Sequence, residues 1–129
     1  MSFSDYLENK ILDHTFKVSA FSVPSSLYVA LSTADPGEDG SALAEPSGNN
    51  YARVLCNSWT AASGGATSNS GAVTFAAASG SWGTITYVCI FDASSSGNML
   101  ASGALSVSKS VTSGDTLQFA AGDIDVTLT

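Results

Sequence analysis

The chain has 129 residues, 44% of them hydrophobic and only 12% charged, and eleven acids against four bases leave a net charge of −7. That length suits a single domain over residues 1–129, and so low a charge content is the reverse of a disordered chain. The four bases, Lys10, Lys17, Arg53 and Lys109, are scattered, so the clustered basic patch that nucleic acid or anionic lipid requires is missing; neither nucleic acid nor membrane is an expected partner.

The opening MSFSDYLENK lacks the basic and continuous apolar regions of a secretion signal, and no apolar run is long enough to span a bilayer. The sequence therefore predicts synthesis in the cytoplasm and transport only as part of an assembly. Residues 4–16 predict the one helix, with Ser4 as N-cap and Asp5 and Glu8 at the positive end of its dipole. Phe3, Leu7 and Ile11 recur every four residues, with Leu12 and Phe16 alongside. Such a flank closes a core or docks on a neighbouring subunit, which makes Phe3, Leu7 and Ile11 candidate contacts of an oligomer.

Beyond Pro24 the pattern changes to short extended runs. Residues 27–31 place Leu27, Val29 and Leu31 on one face. Residues 35–50, DPGEDGSALAEPSGNN, hold two prolines, three glycines and four acids and predict a long polar loop. Residues 51–59 predict a strand, residues 63–71 a flexible connection and residues 72–75 a short strand. Residues 84–91 predict a central strand, because both alternating faces are largely apolar. Residues 92–98 form a turn, and three further extended runs follow at 99–105, 116–120 and 124–128. About seven short strands punctuated by turns predict a mainly β domain over residues 25–129. The expected form is an antiparallel β-sandwich, Ig-like or jelly-roll-like, or a small barrel, preceded by one short N-terminal helix. Val29, Val54, Val73, Ile85, Cys89, Leu117 and Val126 are its expected core.

No common catalytic signature is present, and the chain is not expected to be an enzyme or to carry a cofactor. His14, the single histidine, reads as a residue placed at the negative end of the helix dipole rather than a general base. Asp35, Glu38, Asp39 and Glu45 crowd one loop, a poor platform for acid–base work, with a calcium site the alternative. Asp123 and Asp125 share a strand face by period two, which is either wet or met by a basic partner. Cys56 and Cys89 read as buried reduced thiols: with one histidine and no paired-cysteine motif they do not resemble a zinc site. Tyr51, Arg53, Trp59 and Trp82 are the residue types found at interaction hot spots and are candidates for a protein or sugar surface, against the alternative of core lids.

Three runs carry a resemblance: LYVALSTADPGEDGSALAEPSGNNYARV, SNSGAVTFAAASGSWGTITYVCIFDASSSGNML and GDTLQFAAGDIDVTL. Within them, L-x-V-A-L-S-T-A-D-P, E-x-S-G-x-x-Y-A-R, W-G-T and A-G-D resemble a family of small tailed-phage virion proteins, labelled head decoration (cement) or tail fibre proteins. The resemblance covers nearly the whole chain. It implies a β-sandwich subunit that assembles as a homo-oligomer, often a trimer, on a capsid or tail, with the phage major capsid protein or tail proteins as partners. It brings no catalytic residues. The leading expectation is a capsid decoration protein that reinforces the head lattice through many repeated contacts. The alternative is a tail fibre or baseplate component involved in host attachment through residues 35–50, and a carbohydrate-binding or carbohydrate-active module ranks third.

Overall fold

In the computed structural model, which describes residues 1–128, antiparallel β structure dominates and one helix precedes it. Strand β1 (Ser2–Phe3) leads into α1 (Asp5–Thr15), and β2 (Tyr28–Ser32), β3 (Val54–Leu55), β4 (Ala66–Ser68) and β5 (Val73–Thr74) follow. The chain continues with β6 (Gly83–Phe91), β7 (Met99–Val111), β8 (Gln118–Phe119) and β9 (Asp125–Thr127). One five-stranded sheet has the order β1-β7-β6-β2-β3; β4 pairs with β9, and β5 with β8.

Local chemistry sets both ends of the helix. Ser4 is extended, and its side-chain oxygen accepts from the Leu7 N–H at 3.2 Å. The same hydroxyl donates to the Met99 carbonyl, and the Ser4 N–H donates to that of Leu100 at 2.8 Å, so the cap also fastens the helix to β7. At the other end Lys17 takes φ 67°, and the Val18 N–H donates back to the Asp13 carbonyl at 2.9 Å. This is a Schellman closure with lysine where glycine is favoured.

Strand β6 is the middle strand of five because both of its faces are apolar. Val88 and Ile90 join the main core, while Cys89 and Phe91 point to a smaller cluster with Ala30 and Met99. Ile85 faces the main core too, although simple alternation puts it with Cys89. The register explains this: Ile85 pairs with Lys109 but Tyr87 pairs with Ala104, so Thr86 alone stands opposite residues 105–108 and the alternation shifts there.

The main core lies between the sheet, through Val29, Leu31, Ile85, Val88 and Ile90, and an opposing layer that supplies Val73, Phe75, Leu117, Ile124 and Val126. Burying a side chain as completely as Phe75, at 1% exposure, contributes about 2–3 kcal/mol. The opposing layer consists of two separate two-stranded pairs. The mainly β, antiparallel reading holds, but the continuous second sheet of an Ig-like or jelly-roll sandwich is not formed among the described residues.

Several boundaries differ from the sequence reading. Within residues 51–59 only Val54 and Leu55 pair with β2, and Trp59 makes a single bridge to Asn69; Val54 is half-buried, unlike the other expected core residues. Residues 63–71 are not simply a connection, since β4 lies there and pairs with β9. The polar stretch through Lys109 is the second half of β7. β4 is half-buried and made of Ala, Thr and Ser, and the second half of β7 turns Ser and Lys to solvent, so backbone pairing is present without an apolar pattern to announce it.

Candidate interaction surfaces

Tyr51, Trp82 and Phe75 form an aromatic cluster, with Tyr51 and Trp82 edge to face at 5.3 Å between centroids. Trp82 is 4% exposed, and its indole N–H donates to the Asn49 carbonyl at 2.9 Å. The Tyr51 hydroxyl accepts from the Leu31 N–H at 3.0 Å and donates to Glu45 Oε1 at 2.8 Å. Burial, the largest influence on it, pushes this phenol well above its ordinary pKa. Trp59 packs on the edge of the core and donates to the Cys56 carbonyl at 2.9 Å.

Arg53 is more enclosed than an isolated base in a polar region suggests. Its side chain is 5% exposed, and its Nη2 lies 2.8 Å from Glu45 Oε2. Nη1 donates to the carbonyls of Ala93 and Ser96 at 2.9 and 2.8 Å. Arg53 thus joins the 35–50 stretch to the turn after β6. Of the acids in that stretch, Glu45 is taken up by Arg53, while Asp35 and Asp39 accept from the backbone of Gly37 and Ser41. The Ser41 N–H is the main reason the Asp39 carboxyl is held below its ordinary pKa. Among the described residues, no group of three His, Cys, Asp or Glu side chains is placed to hold a metal ion. Leu43 of the same stretch covers the smaller cluster, and Pro36 is fully buried. The segment is therefore built onto the sheet rather than left free.

At the N-terminus, Phe3 lies in β1 opposite Ala101, and Phe3, Tyr6 and Leu7 pack on the chain's own core. Ile11 is half-buried. Beyond it, Leu12 in the helix, Phe16 at its cap and Val18 and Val23 in the chain that follows are 54, 72, 75 and 88% exposed. His14 Nδ1 accepts from the Phe21 N–H at 3.0 Å, which folds the following chain back on the helix end. The result is an apolar knob with Lys17 between Phe16 and Val18. Exposed side chains of this size grouped in one place mark interaction surfaces.

On the chain's other candidate surface, the second half of β7 and the segment from Asp115 to Asp125 wall an open groove of about 930 Å³. Val88, Val111, Leu117 and Ile124 line it and are buried, while Val107, 63% exposed, stands at its edge. Asp115, Asp123 and Asp125 line it against one base, Lys109. Asp115 accepts from the Thr112 N–H at 2.8 Å, which holds its carboxyl below the ordinary value. Asp123 accepts from the Ala120 N–H at 2.8 Å, so it belongs to a turn and does not share a strand face with Asp125, as period two predicts.

Sequence reasoning missed Asn69, which is 1% exposed. Its Oδ1 accepts from the Ile124 N–H at 2.9 Å, and its Nδ2 donates to the carbonyls of Gly71 and Ala120 at 2.8 and 3.0 Å. An asparagine in a Ser/Gly-rich run offers no pattern to distinguish such a hub from a loop residue.

A rigid β body with a projecting apolar knob and an acidic groove suits assembly into a larger structure. A family model described as podophage GP4 fiber I protein gp80 matches residues 2–127. The chain belongs to this family. Membership in the gp80 fibre family supports a structural role in the phage particle, and it fits the fibre alternative better than the capsid-decoration reading that leads from sequence alone. No curated protein matches the chain. Among the described residues, no helix is long and apolar enough to cross a membrane.

Proposed function

We propose that this chain is a structural subunit of a phage tail fibre, bound to other virion proteins and without catalytic turnover. The observation that carries the reading is the match to a fibre family over residues 2–127. The side chains agree with it. The carboxylates of Asp35, Asp39, Asp92, Asp115 and Asp123 accept from nearby backbone N–H groups in turns, and Glu45 pairs with Arg53. These groups hold turns and one buried clamp in place, an arrangement that suits a structural subunit rather than acid–base chemistry.

Gold-labelled antibody against the protein, applied to purified particles, tests the location. Label on tail-associated fibres is expected, and particles made without the protein should lose adsorption to host cells while keeping their genomes on heating. Label spread over the capsid, together with genome loss from particles lacking the protein, would restore the decoration reading in its place.

A further inference from the structure

We propose that the knob of one copy enters the groove of a second copy, joining subunits head to tail. The inference rests on the structural-subunit reading and names the partner of both surfaces as another copy of this chain. The knob presents Phe16 and Val18 to solvent, each more than two-thirds exposed, with Lys17 between them. The groove offers what that tip can use: apolar contact through exposed Val107 and half-buried Leu105 and Phe119, and three aspartates. Its volume of about 930 Å³ is at the upper end of what holds a compact ligand and accommodates several side chains of a helix end.

Charge supports a second copy as the occupant. A chain of net charge −7 repels itself unless its few bases are directed at its acids. Arg53 is consumed internally by Glu45, Lys109 already lines the groove, and Lys10 lies over the Tyr6 ring, 5.6 Å from its centroid, a full helical turn and more before the tip. Lys17 stands at the exposed tip, where it can meet the aspartates of a neighbour. It also holds φ 67°, a conformation that glycine adopts without strain, so the fold tolerates a local cost that leaves a base at the tip. Because the two surfaces differ, the contact is heterologous and closes into a ring or continues as a filament.

Complementation between two broken variants tests this. One carries Phe16→Asp and Val18→Ser in the knob; the other carries Val107→Lys and Asp125→Lys in the groove. All four positions are exposed, and circular dichroism checks that both variants stay folded. Sedimentation of the unmodified protein should show association. Each variant alone should be monomeric, and an equimolar mixture should give a 1:1 complex that grows no further. A groove variant that still self-associates, a mixture that stays monomeric, or an unmodified protein that is monomeric at 100-fold the concentration of the assay, would each overturn the contact. None of these outcomes bears on the particle-labelling result, so the two readings fail separately.

Discussion

The guanidinium carbon of Arg53 lies 3.8 Å from the centroid of the Phe91 ring, stacked on the smaller apolar cluster while its nitrogens bind Glu45 and two turn carbonyls. One side chain therefore fixes the 35–50 stretch, the turn after β6 and the end of β6 together. Arginine suits this because a planar cation can stack and pair in a fork at once.

Glu45→Gln should cost about 3 kcal/mol of stability, since it leaves an enclosed guanidinium without its counter-charge. Urea unfolding measures the loss. Replacing both partners, with Glu45→Leu and Arg53→Met, should cost less than the single change, and an equal or larger loss would mean that packing rather than charge dominates.

Asn69→Asp keeps the shape of the side chain and removes both Nδ2 donors, turning a carboxylate toward the carbonyls of Gly71 and Ala120. A loss of about 3 kcal/mol is expected from two hydrogen bonds and a buried charge. Hydrogen exchange should show the opening concentrated in β4 and β9, the strands that this residue adjoins.

Lys17→Gly should raise the melting temperature, because relief of a left-handed non-glycine conformation is worth about 1 kcal/mol. The same change should weaken self-association. A variant that is more stable yet assembles less well would separate the two roles of this position.

Cys56 and Cys89 are free and buried, the first in the main core and the second in the smaller cluster. Burial raises both thiols, that of Cys89 to about 12. Neither should react with a thiol reagent at pH 8 until the chain unfolds, and labelling with and without denaturant, read by mass spectrometry, checks this.

Hydrogen bonds from Ser41 and Thr112 hold the Asp39 and Asp115 carboxyls below their ordinary value. The stability they add is present above the unfolded carboxylate pKa of about 4 and is lost as pH falls through the lower folded values. Thermal melts from pH 6 to 2 should therefore decline at the acid end, and Asp115→Asn should make that decline shallower.

β6 was legible because it buries alternating apolar side chains on two faces, and the helix was legible from its cap at Ser4 and from an apolar flank that is only half-buried. The turns were legible from glycine and aspartate. By contrast, β4 is built of half-buried Ala, Thr and Ser and the second half of β7 turns Ser and Lys to solvent, so their hydrogen bonding leaves no trace in hydropathy. The Arg53 clamp was only half hidden: E-x-S-G-x-x-Y-A-R contains Glu45 together with Tyr51 and Arg53, both of which bond to it. Sequence alone shows these residues close along the chain without showing that the loop folds them into contact. The helical period identifies an apolar flank but not how far along the helix the body of the protein extends, and that support ends near Ile11.

The unequal pairing at Thr86 gives the sheet a seam. Strands normally tolerate no change of length, since one added residue inverts every side chain beyond it. At residues 105–108 the chain already carries surplus length without a matching partner, so the inside-outside phase is reset there by the fold itself. A short tag with an odd number of residues placed at this seam should leave both halves of β7 in phase, where the same tag within the paired first half would turn the apolar side chains beyond it outward. It is also the point from which a fluorophore would look directly across the groove.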